Sequence, residues 1–192
     1  LFQIFSDAQD ITANLTFTIN ADGTISVTDG TNTVTNAAGI EKIIGGSGTD
    51  TIIGPAGSTT WNLTGDNTGL VNGLTFSGVE NLKGSDTGTD TFVIENNARW
   101  SGEIDGGGGT NILSSVSVSA DLLFTFNEDD TIAVSTAPDT WSSLGIIPEE
   151  VLSLLTDGIS IETVKNITKV VGGSGDNTFA FQGNASFAGT VD

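Results

Sequence analysis

The sequence predicts an all-β chain: a parallel β-helix, or β-solenoid, of short strands and Gly-rich turns, with one short inserted helix. Three observations lead there. Whole segments of the 192 residues repeat without gaps. Apolar anchors fall at Leu82, Phe92, Ile104 and Leu113, at steps of 10, 12 and 9 residues with Gly, Asn or Asp between them. Charged residues make up only 15% of the chain and there are 26 Gly, so Thr, Ser, Asn and Gly must furnish most of the surface, a composition of strands joined by tight turns.

The first element is a hairpin. Leu15, Phe17 and Ile19 alternate with polar residues, Asn20-Ala21-Asp22-Gly23 turns the chain, and Ile25 and Val27 alternate again. The segment 12–28 aligns with 119–135 at an offset of 107, with nine of 17 positions identical, among them Phe17/Phe124, Asp22/Asp129 and Ile25/Ile132. A second hairpin of the same form is therefore expected. Residues 85–105 likewise align with 172–192 at an offset of 87, with seven of 21 identical. A shorter module recurs as Ile40-Glu41-Lys42-Ile43, Val79-Glu80-Asn81-Leu82 and Val164-Lys165-Asn166-Ile167. The expected organisation is one continuous repeat-built solenoid over 1–192, with modules 11–53, 59–117 and 118–192. The chain begins without Met, and Asp192 matches Asp105 in mid-repeat, so it reads as a piece of a larger protein.

An insertion at about 136–158 breaks the pattern. Pro148, then Glu149 and Glu150, then Gly158 after an apolar stretch, predicts a short helix over 148–157 with Val151, Leu154 and Leu155 on one face.

Composition excludes several chemistries. Without His or Cys there is no Ser-His-Asp triad, thiol nucleophile or zinc finger. With 24 acidic against 5 basic residues the net charge is −19, which disfavours nucleic acid and anionic membranes and suits hard divalent cations. No run approaches 18 apolar residues, so no membrane-spanning helix is expected. The single Arg (Arg99) and four Lys are scattered, leaving no base for a β-helix lyase, and catalysis is not expected.

The Gly-rich segments carry the remaining signal. Gly45-Gly46-Ser47-Gly48-Thr49-Asp50-Thr51-Ile52-Ile53 fits the G-G-x-G-x-D-x-U-x calcium nonapeptide at every defined position. Gly172–Ala180 and Gly106–Ser114 fit with Asn177 and Asn111 in place of Asp, and Ser85–Val93 keeps Asp90 but loses the leading glycines. Two readings stand: a Gly-rich corner whose Asp or Asn caps its own turn, and a calcium corner drawing further oxygens from neighbouring coils. The candidate calcium ligands are Asp50, Asp86, Asp90 and Asp176.

The ordered combination of V-E-N-L, a Gly-rich nonapeptide, D-T-F and G-x-I-D-G-G-x-G-T-N resembles the repeats of giant bacterial surface proteins, the filamentous-haemagglutinin-like and RTX-nonapeptide-containing adhesins. That resemblance implies a secreted, extracellular or cell-surface β-solenoid with a structural or adhesive role, and neighbouring repeats, identical subunits or a host or matrix surface as partners. The alternatives are a calcium-dependent RTX-like binding module and a solenoid that binds glycans or ice. The last needs ranks of Thr or aromatic residues, and regular T-x-T ranks at coil spacing are missing from the sequence. Trp100 aligns with Phe187 and reads as core, whereas Trp61 and Trp141 stand open between core and sugar stacking. The acidic run Asn127-Glu128-Asp129-Asp130 reads as a solvated hairpin turn.

Overall fold

A computed structural model describes residues 12–136 and 158–192, and all the secondary structure among them is β. The first strands are β1 (Thr16–Ile19), β2 (Ile25–Thr28), β3 (Thr33–Ala37), β4 (Lys42–Ile44), β5 (Thr51–Ile53) and β6 (Thr60–Gly65). There follow β7 (Thr68–Val71), β8 (Leu74–Ser77), β9 (Asn81–Lys83), β10 (Thr91–Ile94), β11 (Arg99–Asp105) and β12 (Ile112–Ser114). The last are β13 (Leu122–Phe126), β14 (Ile132–Thr136), β15 (Ser160–Lys165), β16 (Lys169–Val171), β17 (Thr178–Phe181) and β18 (Thr190–Val191). The helix expected over 148–157 lies outside the described residues.

The strands form a ten-stranded sheet, in the order β17-β13-β14-β15-β11-β9-β5-β1-β2-β3, and an eight-stranded sheet, in the order β18-β16-β12-β10-β6-β7-β8-β4. The four apolar anchors read from the sequence are all buried and alternate between sheets: Leu82 and Ile104 in the first, Phe92 and Leu113 in the second. Parallel register aligns them into columns. Phe17, Ile52, Leu82, Ile104 and Val164 lie side by side in the ten-stranded sheet. Trp61, Phe92, Leu113, Val170 and Val191 do so in the eight-stranded one. Strands of two to seven residues are too short to be stable alone, and these columns supply the missing burial. One apolar cluster runs from Leu15 to Val170, with Trp61 stacked on Phe92 at a centroid distance of 5.7 Å.

The expectation of a purely parallel helix needs correction, because the sheets are mixed. β1–β2–β3, β6–β7–β8 and β13–β14–β15 pair antiparallel within otherwise parallel ladders. For β1–β2–β3, β6–β7–β8 and β13–β14 the cause is local: a turn of a few residues returns a strand beside its predecessor, whereas parallel partners need a longer crossover; β15 pairs antiparallel with β14 although residues 137–159 separate them.

The two repeated hairpins have the same structure. Phe17 pairs with Val27 as Phe124 pairs with Val134, and Ile25 and Ile132 are both buried. Their turns match as well. The Asn20 and Asn127 side-chain amides donate to the Thr24 and Thr131 hydroxyls, which donate to Asp22 and Asp129. The 85–105/172–192 repeat behaves differently. β10 lies in the eight-stranded sheet but its sequence counterpart β17 lies in the ten-stranded one, and β11 and β18 are exchanged likewise. The burial differs too: Phe92 and Ile94 of β10 are fully buried, whereas Phe179 of β17 is half-buried and Phe181 is exposed.

Candidate functional site: the Gly-rich corners

The chain passes from the eight- to the ten-stranded sheet at residues 45–50 and 172–177, and back at 84–90 and 106–111. At each corner the residue before the new strand is Asp or Asn, and its side chain folds back into the turn. Asn111 shows what this position does. Its Oδ1 accepts the Asp90 backbone N–H at 3.0 Å, and its Nδ2 donates to the Asn166 carbonyl at 3.0 Å and to the Gly108 carbonyl at 3.2 Å. The amide thus ties its own turn to the chain on either side. Asn177 Nδ2 donates to the Gly173 and Gly175 carbonyls, each at 2.9 Å. The glycine that opens the corner makes room: a Cβ on Gly106 would lie 2.4 Å from the Asn166 oxygen and 2.7 Å from Asn111 Nδ2.

Asp50 occupies the same place with a carboxyl group. Its Oδ1 accepts the Leu15 backbone N–H at 2.7 Å, and its own N–H donates to Glu80 Oε2 at 2.8 Å. Its Oδ2 takes the position of the Asn111 amide nitrogen, since a Cβ on Gly45 would sit 2.5 Å from that oxygen and 1.9 Å from the Gly78 carbonyl. Oxygen there faces oxygen, and Oδ2 is buried without a hydrogen bond. Burial holds the Asp50 carboxyl above the ordinary carboxylate range, the Leu15 N–H opposes this, and the Glu80 charge adds to it.

Asp90 is handled differently. Its Oδ2 sits beside the Gly106 carbonyl across Gly84, as at the Asp50 corner, but here it also accepts the Ser85 N–H at 2.8 Å and the Ser85 hydroxyl at 3.2 Å. Its Oδ1 is buried with no hydrogen bond of ordinary geometry. Burial again raises the pKa, and the Ser85 donors and the Thr59 backbone offset it in part.

The four aspartates are not brought to one centre. Asp50 and Asp90 are buried at corners of opposite sense, whereas Asp86 and Asp176 are exposed. Asp86 faces Lys83 at 3.8 Å, and Asp176 donates its backbone N–H to Asp121. Among the described residues no cluster of three or more acidic side chains is placed to hold a metal ion. Calcium takes six to eight oxygens. The Asp50 corner aims one free carboxylate oxygen at one carbonyl, with the Gly45 backbone packed against both, and Glu80 already accepts from Asp50 and Asn67. This donor set does not fit calcium.

Trp61 and Trp100 are core residues, 0% and 1% exposed, which removes them as sugar platforms. Trp141 lies outside the described residues. The acidic hairpin turn is more than a solvated loop, since Glu128 Oε1 accepts the Asn184 backbone N–H across to the next passage of the chain. Sequence reading also missed a rank of hydroxyls. Thr33, Thr28, Thr16 and Thr51 lie side by side across four strands of the ten-stranded sheet. The antiparallel hairpin interleaves residues that no fixed sequence period connects.

Comparison with known proteins finds no family model, no curated protein and no solved structure that matches the chain.

Proposed function

We propose that this chain is a structural repeat segment of a large secreted bacterial surface protein or extracellular fibre, a two-sheet β-solenoid that acts as a spacer and adhesive stalk. One observation carries the reading. The pairs β5–β6, β9–β10, β11–β12, β15–β16 and β17–β18 each give one strand to each sheet, and their apolar columns run in parallel register. Each pair is then one coil, and the hairpin strands β2–β3, β7–β8 and β13–β14 are insertions that widen the sheets. Such a unit buries its core only by stacking, so length is what it provides. The surface location rests on the likeness to adhesin repeats, and the non-catalytic role on the lack of His and Cys. Its partners are neighbouring repeats or identical subunits, and a host or matrix surface.

Small-angle scattering on single, double and triple tandem copies tests this. The expected result is a rod whose length grows in proportion to copy number at constant cross-section, at about 4.8 Å for each strand added to a sheet. Independent beads on a flexible string would refute the stacked reading.

A further inference from the structure

The ten-stranded sheet ends on two strands that the fold leaves open. The column that passes from Phe17 to Val164 runs on through Val27 to Val34 on β3, and through Ile132 and Phe126 to Phe181 on β17. It then has a member on every strand of the sheet. The inner members are buried, whereas the two end members, Val34 and Phe181, are 48% and 53% exposed. β10 shows what a second neighbour does. It repeats the pattern of β17, but β6 and β12 flank it, and Phe92 and Ile94 are fully buried. The phenylalanines of β17 have only β13 beside them in the sheet. Neither outer strand carries a charge, in a chain of net charge −19: β3 reads Thr-Val-Thr-Asn-Ala and β17 reads Thr-Phe-Ala-Phe. Charge commonly protects exposed strand edges, and the eight-stranded sheet has it, with Lys42 on β4 and the Lys169–Asp192 pair at β18.

We propose that β17 of one copy pairs with β3 of a second copy, head to tail, so that the chain builds a filament. This names the surface by which identical subunits meet, and it rests on the reading of the chain as a stacking unit. Strand direction decides the arrangement. β3 lies two antiparallel steps from β1, and β17 lies two antiparallel steps and one parallel step from β15. Both therefore run the same way as the parallel ladder between them. A copy displaced along the stack presents its β3 parallel to β17, the pairing that buries β10 beside β12. Val34 then falls beside Phe181 and the column continues. A two-fold pairing of β17 with β17 would leave Val34 of both copies exposed. A head-to-tail joint does not close on itself, so copies add without limit. The joint is small. The bulge in β3 leaves Thr33, Val34 and Thr35 for pairing, and the eight-stranded sheet adds little at that end, where Ile43 on β4 is already buried. Interfaces below about 1,200 Å² are weak and transient.

Sedimentation equilibrium of the full 192-residue chain tests this. The expected result is a mass that rises with concentration and does not stop at two copies, with association half complete at about 100 µM. Val34→Lys, at an exposed edge position, should leave the chain folded and monomeric, yet it should cap wild-type filaments at their β3 end. Phe181→Lys should also be monomeric. An equimolar mixture of the two variants should form a 1:1 dimer through the one intact edge of each. Val34→Lys decides alone if Phe181→Lys does not fold. Wild-type association that stops at two copies would overturn the proposal. So would unchanged association of folded Val34→Lys, a mixture of folded variants that stays monomeric, or a wild type monomeric to about 1 mM. A monomeric wild type whose tandem copies still scatter as a rod would remove the joint and keep the stacked reading. Tandem copies that scatter as beads while separate copies associate would keep the joint and remove that reading.

Discussion

Replacing Asp50 by Asn should stabilise the protein, although it removes the residue that the calcium nonapeptide specifies. Asn keeps the Oδ1 that accepts the Leu15 N–H at 2.7 Å. It turns the buried, unpartnered Oδ2 into an amide nitrogen aimed at the Gly78 carbonyl, as Asn111 Nδ2 is aimed at Asn166. An unsatisfied buried polar group costs about 1–3 kcal/mol, so Asp50→Asn should gain about that much near neutral pH. The pH dependence has a definite sign. The folded carboxyl titrates above its ordinary 3.8, so the folded chain binds the proton more tightly than the unfolded chain. The wild-type contribution is greatest at or below 3.8 and declines as pH rises through the raised value, where Asn loses nothing. The gap between the two proteins should therefore be wide near neutral pH and narrow towards 3.8. Urea unfolding followed by Trp fluorescence, at both pH values with EDTA and with calcium, measures it. A variant less stable than wild type in EDTA would refute the hydrogen-bond argument. Stabilisation of wild type alone by calcium would refute the account of the donor set.

Two further outcomes follow from the packing and the turns. Phe92→Ala should cost about 3–5 kcal/mol, because the ring is 0% exposed and stacks on Trp61 in the middle of its column; urea unfolding at constant m-value checks it. Asp29 should titrate at about 2 by NMR, held down first by the Asn32 backbone N–H, then by the Asn32 side chain and the Thr31 N–H. Its contribution is present above 3.8 and is lost as pH falls through about 2, and Asn32→Ala should move the midpoint upward.

The sequence by itself determined the all-β class, both hairpins and the buried anchors. These depend on nearest neighbours: Phe17 and Ile25 are set on one face by alternation and joined by a turn of a few residues, so the pattern holds the whole instruction. It also located the Gly-rich corners, since Gly45 and Gly106 stand where a side chain would collide with a neighbouring carbonyl. Only the tertiary structure decided which sheet each strand joins. β10 and β17 share a sequence pattern yet lie in different sheets, because each pairs in parallel with the strand its own neighbours offer: β10 with β6 and β12, β17 with β13. Only the tertiary structure decided, too, that Asp50 meets Leu15 and Glu80, partners 35 and 30 residues away. A nonapeptide fixes its own turn but not the groups that parallel stacking lays against it. Whether its carboxylate faces enough oxygens for an ion, or a single carbonyl, depends on those neighbours.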